Sequence, residues 1–276
     1  MAEITTADIS KLRKMTGAGI MDCKKALEEA DGDFDAAVEN VRKRSKYAAA
    51  KRVEREASEG VAIAKVSSDE TKGVMVVLNC ETDFVAKNEN FVNLAYSIAD
   101  TALENNPADL DSLKELTMDG RKVNEHIEEH TGMIGEKMTL SYFDKIEAQR
   151  VIAYIHPGNK IASLVGFNKS DIDIQVMKDV AMQVAAMNPV SINEDDVPQE
   201  VADRELEIGK DQARQEGKPE NIVEKIAQGK LKKFYKESTL LNQEFIKDSK
   251  KSVADYLKEA DSELTVTEFK RYSLAG

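Results

Sequence analysis

The chain has no tryptophan, three histidines, five prolines and only two cysteines among its 276 residues. With aromatic residues at 5%, its cores have to be built from Val, Ile, Leu, Ala and Met. Cys23 and Cys80 stand far apart and form no C-x-x-C pair, which excludes a disulfide scaffold and a cysteine-rich zinc site. They read as reduced, buried thiols of a cytoplasmic protein. Wholly apolar runs reach only five residues, as at 74–78, far short of the roughly 20 that a membrane span needs. The opening Met1-Ala2-Glu3-Ile4 carries an acid and no apolar stretch behind it, so no secretory leader is expected. An excess of positive charge is also missing, since the formal net charge is −12. That sign repels a phosphate backbone and argues against direct nucleic-acid binding. It suits docking on a basic or mixed protein surface.

What is present is a folded composition, 41% hydrophobic and 33% charged, long enough for two or three modest domains. Residues 1–55 read as a three-helix unit. Ile4, Ile9, Leu12 and Met15 mark the first helix, which Thr16-Gly17-Ala18-Gly19 breaks. Met21, Ala26 and Leu27 belong to the second. Phe34, Ala37, Val38 and Val41 give the third a stripe at i, i+3, i+4, i+7. The third continues through the basic stretch 42–52, expected as a solvated helical linker, with a patch for a charged partner as the alternative.

Residues 56–146 mix strands and helices. Strands are expected at 60–66, 73–78 and 137–143, and helices near 91–103, 110–118 and 121–130. Thr82-Asp83 reads as the cap of a helix running through Phe91, Leu94, Ala95, Ile98 and Ala102, with Phe84 at the strand-to-helix corner. A large apolar group there is either a staple or a wedge aimed at a partner, and the wedge is favoured. Further on, 151–155 and 161–167 flank Pro157-Gly158-Asn159, the signal of a β-hairpin. A helical stripe follows at Met177, Val180, Ala181, Val184 and Ala185. Strand, strand, helix thus occurs twice, so an α+β core of two related subdomains with antiparallel strands is expected, 56–146 and 147–197 plus 238–276. Between them, 198–237 is highly charged with sparse apolar spots (Val201, Leu206, Ile208, Ile222, Val223, Ile226, Leu231, Phe234) and a Gly217-Lys218-Pro219 turn. It reads as an inserted antiparallel helical hairpin that protrudes. A helix at 251–260 and a last strand at 264–269 rejoin the second subdomain.

Catalytic patterns fail one by one. His126-Ile127-Glu128-Glu129-His130 matches the H-x-x-E-H zinc peptidase pattern, but no third ligand is in view and a solvated helix is the expectation. Thr16-Gly17-Ala18-Gly19 with Lys24-Lys25 lacks phosphate-loop spacing. Asp31-Gly32-Asp33 opens like a calcium loop, yet Ala36 and Arg42 occupy its sixth and twelfth places. No covalent chemistry, metal or cofactor is expected. Apolar or aromatic-like groups in polar turns remain: Ile20-Met21, Phe84, Ile134-Gly135 and His156. Taken together they suggest an extended protein-docking surface.

Two segments, Thr16-Gly17-Ala18-Gly19-Ile20-Met21-Asp22-Cys23-Lys24-Lys25-Ala26-Leu27 and Asn79-Cys80-Glu81-Thr82-Asp83-Phe84-Val85-Ala86-Lys87, closely resemble the signatures of the bacterial elongation factor Ts family. Order and spacing resemble the family over essentially the whole chain. The resemblance implies a ubiquitin-associated-like (UBA-like) helical module, a core of two α+β subdomains and a protruding hairpin. It implies nucleotide exchange on elongation factor Tu, the GTPase that delivers aminoacyl-tRNA. Thr82, Asp83, Phe84 and Val85 would then approach the nucleotide-bound magnesium ion. Arg13, Ile20, Met21, Lys24, Ile134, Gly135, His156 and Ile246 would be further partner contacts. A homodimer or 2:2 complex through the hairpin is left open. Two departures stand out. Lys247 follows Ile246 where the family has a second apolar residue, and the chain ends at Gly276, before a C-terminal helix that some members carry.

Overall fold

The structure, a computed structural model, describes residues 4–274. The expectations about a leader at Met1–Glu3 and about the chain end at Gly276 lie outside the described residues. Helices α1 (Thr6–Thr16), α2 (Ile20–Glu29) and α3 (Phe34–Ala50) open the chain. Thr5 caps α1 in a reciprocal pair with Asp8, and the Asp33 side chain accepts from the first amides of α3. Leu12, Cys23, Ala26, Leu27, Ala37 and Val41 form their core. Ile4 precedes α1 rather than lying in it, and Met15, expected on its apolar stripe, is exposed.

The next unit runs β1 (Glu59–Val66), β2 (Lys72–Cys80), α4 (Asp83–Ala86), α5 (Glu89–Asn105), α6 (Leu110–Glu115), β3 (Thr117–Met118), β4 (Arg121–Lys122), α7 (Val123–Ile134) and β5 (Thr139–Glu147). The following one runs β6 (Arg150–Ile155), β7 (Ile161–Phe167), α8 (Ile174–Met187), α9 (Gln199–Gln215), α10 (Glu220–Ser238), β8 (Glu244–Phe245), β9 (Asp248–Ser252), α11 (Val253–Ala260) and β10 (Val266–Ser273). Several expected helices are shorter than their periodicity suggested. The stretch at 110–118 ends in β3 because the chain turns at Asp119-Gly120, both at positive φ. The last helix starts at Val253, where Ser252 supplies the cap.

The fold is α+β with antiparallel sheets, in the orders β1-β2-β5 and β10-β7-β6. Both arrangements add a late strand beside the second strand of a hairpin, so the repeated sequence pattern has a repeated topology. Side chains alternate across each strand. Val74, Val76, Leu78 and Cys80 of β2 face α5, while Met75 and Val77 face the second sheet. The run at 74–78 is continuously apolar because β2 is buried on both faces. Ala62, Ala64 and Ala162 let the two sheets pack closely, with Ile146, Val151 and Leu164 filling the space between. The outer face of the second sheet carries α8, whose Val180 and Val184 pack with Val165 and Phe167 of β7, and α11 joins the same core through Leu257. Each such side chain, fully buried, contributes about 1.5–3 kcal/mol.

Helices α9 and α10 pack on each other through small residues, Ala202, Gly209, Ala213 and Ala227, with Val223. Of the sparse apolar spots in this stretch, Val223 is buried in the contact, while Ile208 and Ile222 are exposed.

The basic end of α3 is not a solvated linker. It lies along α7, where a Cβ on Gly132 would stand 2.2 Å from the Ser45 Cα. Only glycine permits that approach. Arg42 reaches Glu129 at 3.5 Å and Lys46 reaches Glu125 at 2.8 Å. The H-x-x-E-H stretch of α7 is likewise engaged, with His126, Ile127 and Glu129 buried and His130 partly so. His126 donates through Nε2 to the Met118 carbonyl at 2.6 Å, and His130 donates through Nδ1 to the His126 carbonyl at 2.8 Å. Glu129 pairs with Arg121 and Arg42. Glu129, through Arg42, joins the helical module to the core, while His126 ties α7 to β3 and His130 bonds within α7.

Candidate partner-docking site

The corner after β2 is tied down at every residue but one. Glu136 clamps Thr82 with both carboxylate oxygens: the Thr82 amide donates at 3.0 Å and its hydroxyl at 2.7 Å. The same hydroxyl oxygen accepts the Val85 amide and caps α4. Glu81 accepts from the Lys137 amide at 2.6 Å and from Arg55 at 3.2 Å. The Lys137 amide and then Arg55 hold the Glu81 carboxyl below its ordinary range against the cost of desolvation. Burial, aided by the charges of Glu136 and Glu59, pushes the Cys80 thiol up to about 12. It stays protonated and donates to the Thr82 carbonyl at 3.2 Å. Asp83 pairs with Lys87 at 2.6 Å, which lowers its pKa.

Val85, expected at the partner surface with its neighbours, points inward instead. It is buried with Ala86 in the first core, because a one-turn helix anchored at Thr82 has to set its third and fourth residues against the sheet. Phe84 faces the other way and is 81% exposed, the most exposed large apolar side chain among the described residues. The single helix expected from Thr82 to Ala102 is in fact two. Asn88 accepts the Asn90 amide at 2.9 Å and starts α5 afresh. Phe84 therefore rides on its own short turn, fixed on both sides.

Ile134 and Gly135 serve this corner from below. Ile134 is half-buried on the first core. Gly135 ends α7 at φ +85°, a backbone position that favours glycine, and the chain reverses so that Glu136 meets Thr82. His156 sits exposed in the β6–β7 turn. Its carbonyl accepts the Asn159 amide at 2.9 Å, with Pro157 second and Gly158 third at φ +92°, a type II turn. The Tyr154 hydroxyl bonds its Nδ1 at 3.0 Å. Asn159 accepts the Ala62 amide at 2.7 Å, and Lys160 bonds Glu59 at 2.7 Å, directly across from Cys80. The Lys160 charge also reaches Asp83. Phe84, Glu136 and the His156 turn thus share one end of the sheets.

The other expected contacts lie elsewhere. Arg13, Ile20, Met21 and Lys24 are exposed on the helical module. A polar cleft lined by Lys14, Met15, Asn93, Arg121 and His130 runs between that module and the core. Ile246 is 48% exposed on the second unit. Lys247 beside it reaches inward to buried Asp179 at 2.6 Å, which accounts for a charged residue there. Sequence reasoning did not single out Glu136, Glu59 or Lys160 as supports of the site. Only the neighbouring Ile134-Gly135 pointed near Glu136, since a clamp 54 residues away leaves no local pattern.

The family model described as Elongation factor TS matches residues 81–276. A protein of Christiangramia forsetii named Elongation factor Ts is 53% identical over 275 residues, covering 99% of this chain and 100% of that protein. The Elongation factor Ts of Flavobacterium psychrophilum is 51% identical over 275 residues, with coverage of 99% and 100%. That of Porphyromonas gingivalis is 47% identical over 272 residues, with 98% of each chain covered. With the signature segments, the α+β core and these full-length likenesses in agreement, the chain belongs to the elongation factor Ts family of translation elongation factors.

Proposed function

We propose that the chain is a guanine nucleotide exchange factor for elongation factor Tu, acting in the cytoplasm without making or breaking a covalent bond. The exposed ring of Phe84 on a clamped corner is the observation that carries this reading. A rigid apolar wedge can displace the elements that hold a magnesium ion and phosphates on the GTPase. Once the cation is displaced, the diphosphate charge is uncompensated and GDP leaves faster. Linkage requires the same coupling in reverse. A factor that weakens GDP binding binds the nucleotide-free GTPase more tightly by an equal factor.

In this reading residues 1–55 form a UBA-like docking module with Arg13, Ile20, Met21 and Lys24 on its partner face. The core divides at 56–146 and at 147–197 with 238–276. Thr82 and Asp83 position the wedge, and Ile134, Gly135, His156 and Ile246 extend the contact. Residues 198–237 are an inserted hairpin free to meet the partner or a second copy in a homodimer or 2:2 complex.

Release of a fluorescent GDP from elongation factor Tu, followed with and without the full chain, tests the proposal. Accelerated release supports it. Binding with no acceleration would make the chain a passive adaptor.

A further inference from the structure

Resting on the reading of Ile246 as a partner contact, we propose that Asp179, Gln183 and Lys247 form a positioning device that fixes Ile246 outward for docking. Ile246 and Lys247 form the two-residue connection between β8 and β9, where Phe245 pairs with Asp248. Such tight connections favour residues at positive φ, typically Gly, Asn or Asp. Neither Ile246 nor Lys247 has positive φ. The tip therefore lacks the turn geometry that matches strand twist, and its conformation draws on contacts from outside.

Helix α8 imposes it. Asp179 and Gln183 lie one turn apart on the same face, and both are buried. Gln183 accepts the Ile246 amide at 2.8 Å and donates to the Glu244 carbonyl at 3.1 Å, gripping both sides of Phe245. Asp179 accepts from Lys247 at 2.6 Å, from Gln175 at 2.6 Å and from the Tyr256 hydroxyl at 2.9 Å. Tyr256 in turn stacks on Phe245 with ring centres 4.0 Å apart. Phe245 is buried and the Lys247 amino group turns to Asp179, which leaves Ile246 between them as the apolar group facing out. A buried carboxylate carries a desolvation cost that an apolar pair would avoid. Its presence under this tip is accounted for if the pair sets geometry.

The test uses full-length variants in the GDP-release assay, read as the concentration of elongation factor Tu at half-saturation and, separately, the maximal rate. Lys247→Met is expected to raise the half-saturating concentration about tenfold, the size of one charged hydrogen bond, at unchanged maximal rate. Lys247→Arg is expected to restore it. Asp179→Asn with Lys247→Met removes the buried charge together with its partner. It guards against misfolding and should show the same loss. In an Ile246→Ala background, Lys247→Met should add nothing, because there is no longer a side chain to position. Independent, multiplying losses, or no loss with Lys247→Met while Ile246→Ala is impaired, would overturn the proposal and leave the contact reading intact. A silent Ile246→Ala would remove the contact reading and the proposal together.

Discussion

Phe84 stays in water although burying its ring would return about 1.5–3 kcal/mol. Its neighbours explain how the chain sustains this. Val85 and Ala86 go into the core, Thr82 is clamped, and the turn cannot roll the ring inward without breaking the bonds to Glu136. Glu136 is then as necessary to the site as the ring. Glu136→Ala strands the Thr82 amide and hydroxyl in a part-buried setting, a loss of about 1–3 kcal/mol. The melting temperature should fall by several degrees, and acceleration of GDP release should drop although Phe84 is untouched. Glu136→Gln, which keeps an acceptor, should lose less. Equal exchange rates for Glu136→Ala and the parent chain would show that the clamp does not matter to the wedge.

Among the elements, α7 carries the most varied duties. It supports the first core, sends Glu136 to the corner and receives α3 at Gly132. Gly132→Ala would place a methyl group 2.2 Å from the Ser45 Cα, and backbone has to move to relieve it. The seam between module and core should loosen, and limited proteolysis within 51–58 should become faster. An unchanged cleavage rate would contradict the seam. The same helix sets an acid limit. Burial lowers the pKa of His130 from 6.5, so the unfolded chain takes up a proton there before the folded chain does. The stability from neutral His130 is complete above about pH 6.5 and declines as pH falls toward the lowered value. Thermal melting at pH 7.5 and 5.5 should show a smaller acid loss for His130→Gln than for the parent chain. Little of this could be read in advance. Periodicity located α3 and α7 but not their contact, because Gly132 and Ser45 carry no pattern linking them across the sequence. The H-x-x-E-H stretch looked solvated because its partners, Arg42, Arg121 and the Met118 carbonyl, come from other elements.

Across the whole molecule, legibility followed the range of the forces involved. Alternation and turn chemistry are local, so β1, β2, β6, β7 and the turn at Pro157-Gly158 were readable, and the repeated strand–strand–helix pattern disclosed two similarly ordered sheets. The contact between those sheets was not readable, since alanines at Ala62, Ala64 and Ala162 look the same on any small-residue face. The contact of α9 with α10 is equally hard to read, because Ala and Gly with Val223 make it while Ile208 and Ile222 are left outside. Within the candidate site, the exposed aromatic stood out because polar neighbours surround it, while Val85 was indistinguishable in sequence from a surface residue. The central claim is that one outward ring, held by a rigid corner, loosens a nucleotide on another molecule. Stopped-flow release of fluorescent GDP from elongation factor Tu with Phe84→Ala measures it directly. An exposed hot-spot aromatic is worth about 2–4 kcal/mol, so acceleration should fall roughly 30- to 900-fold while the melting temperature stays at the parent value. An unaltered release rate with Phe84→Ala would contradict the account.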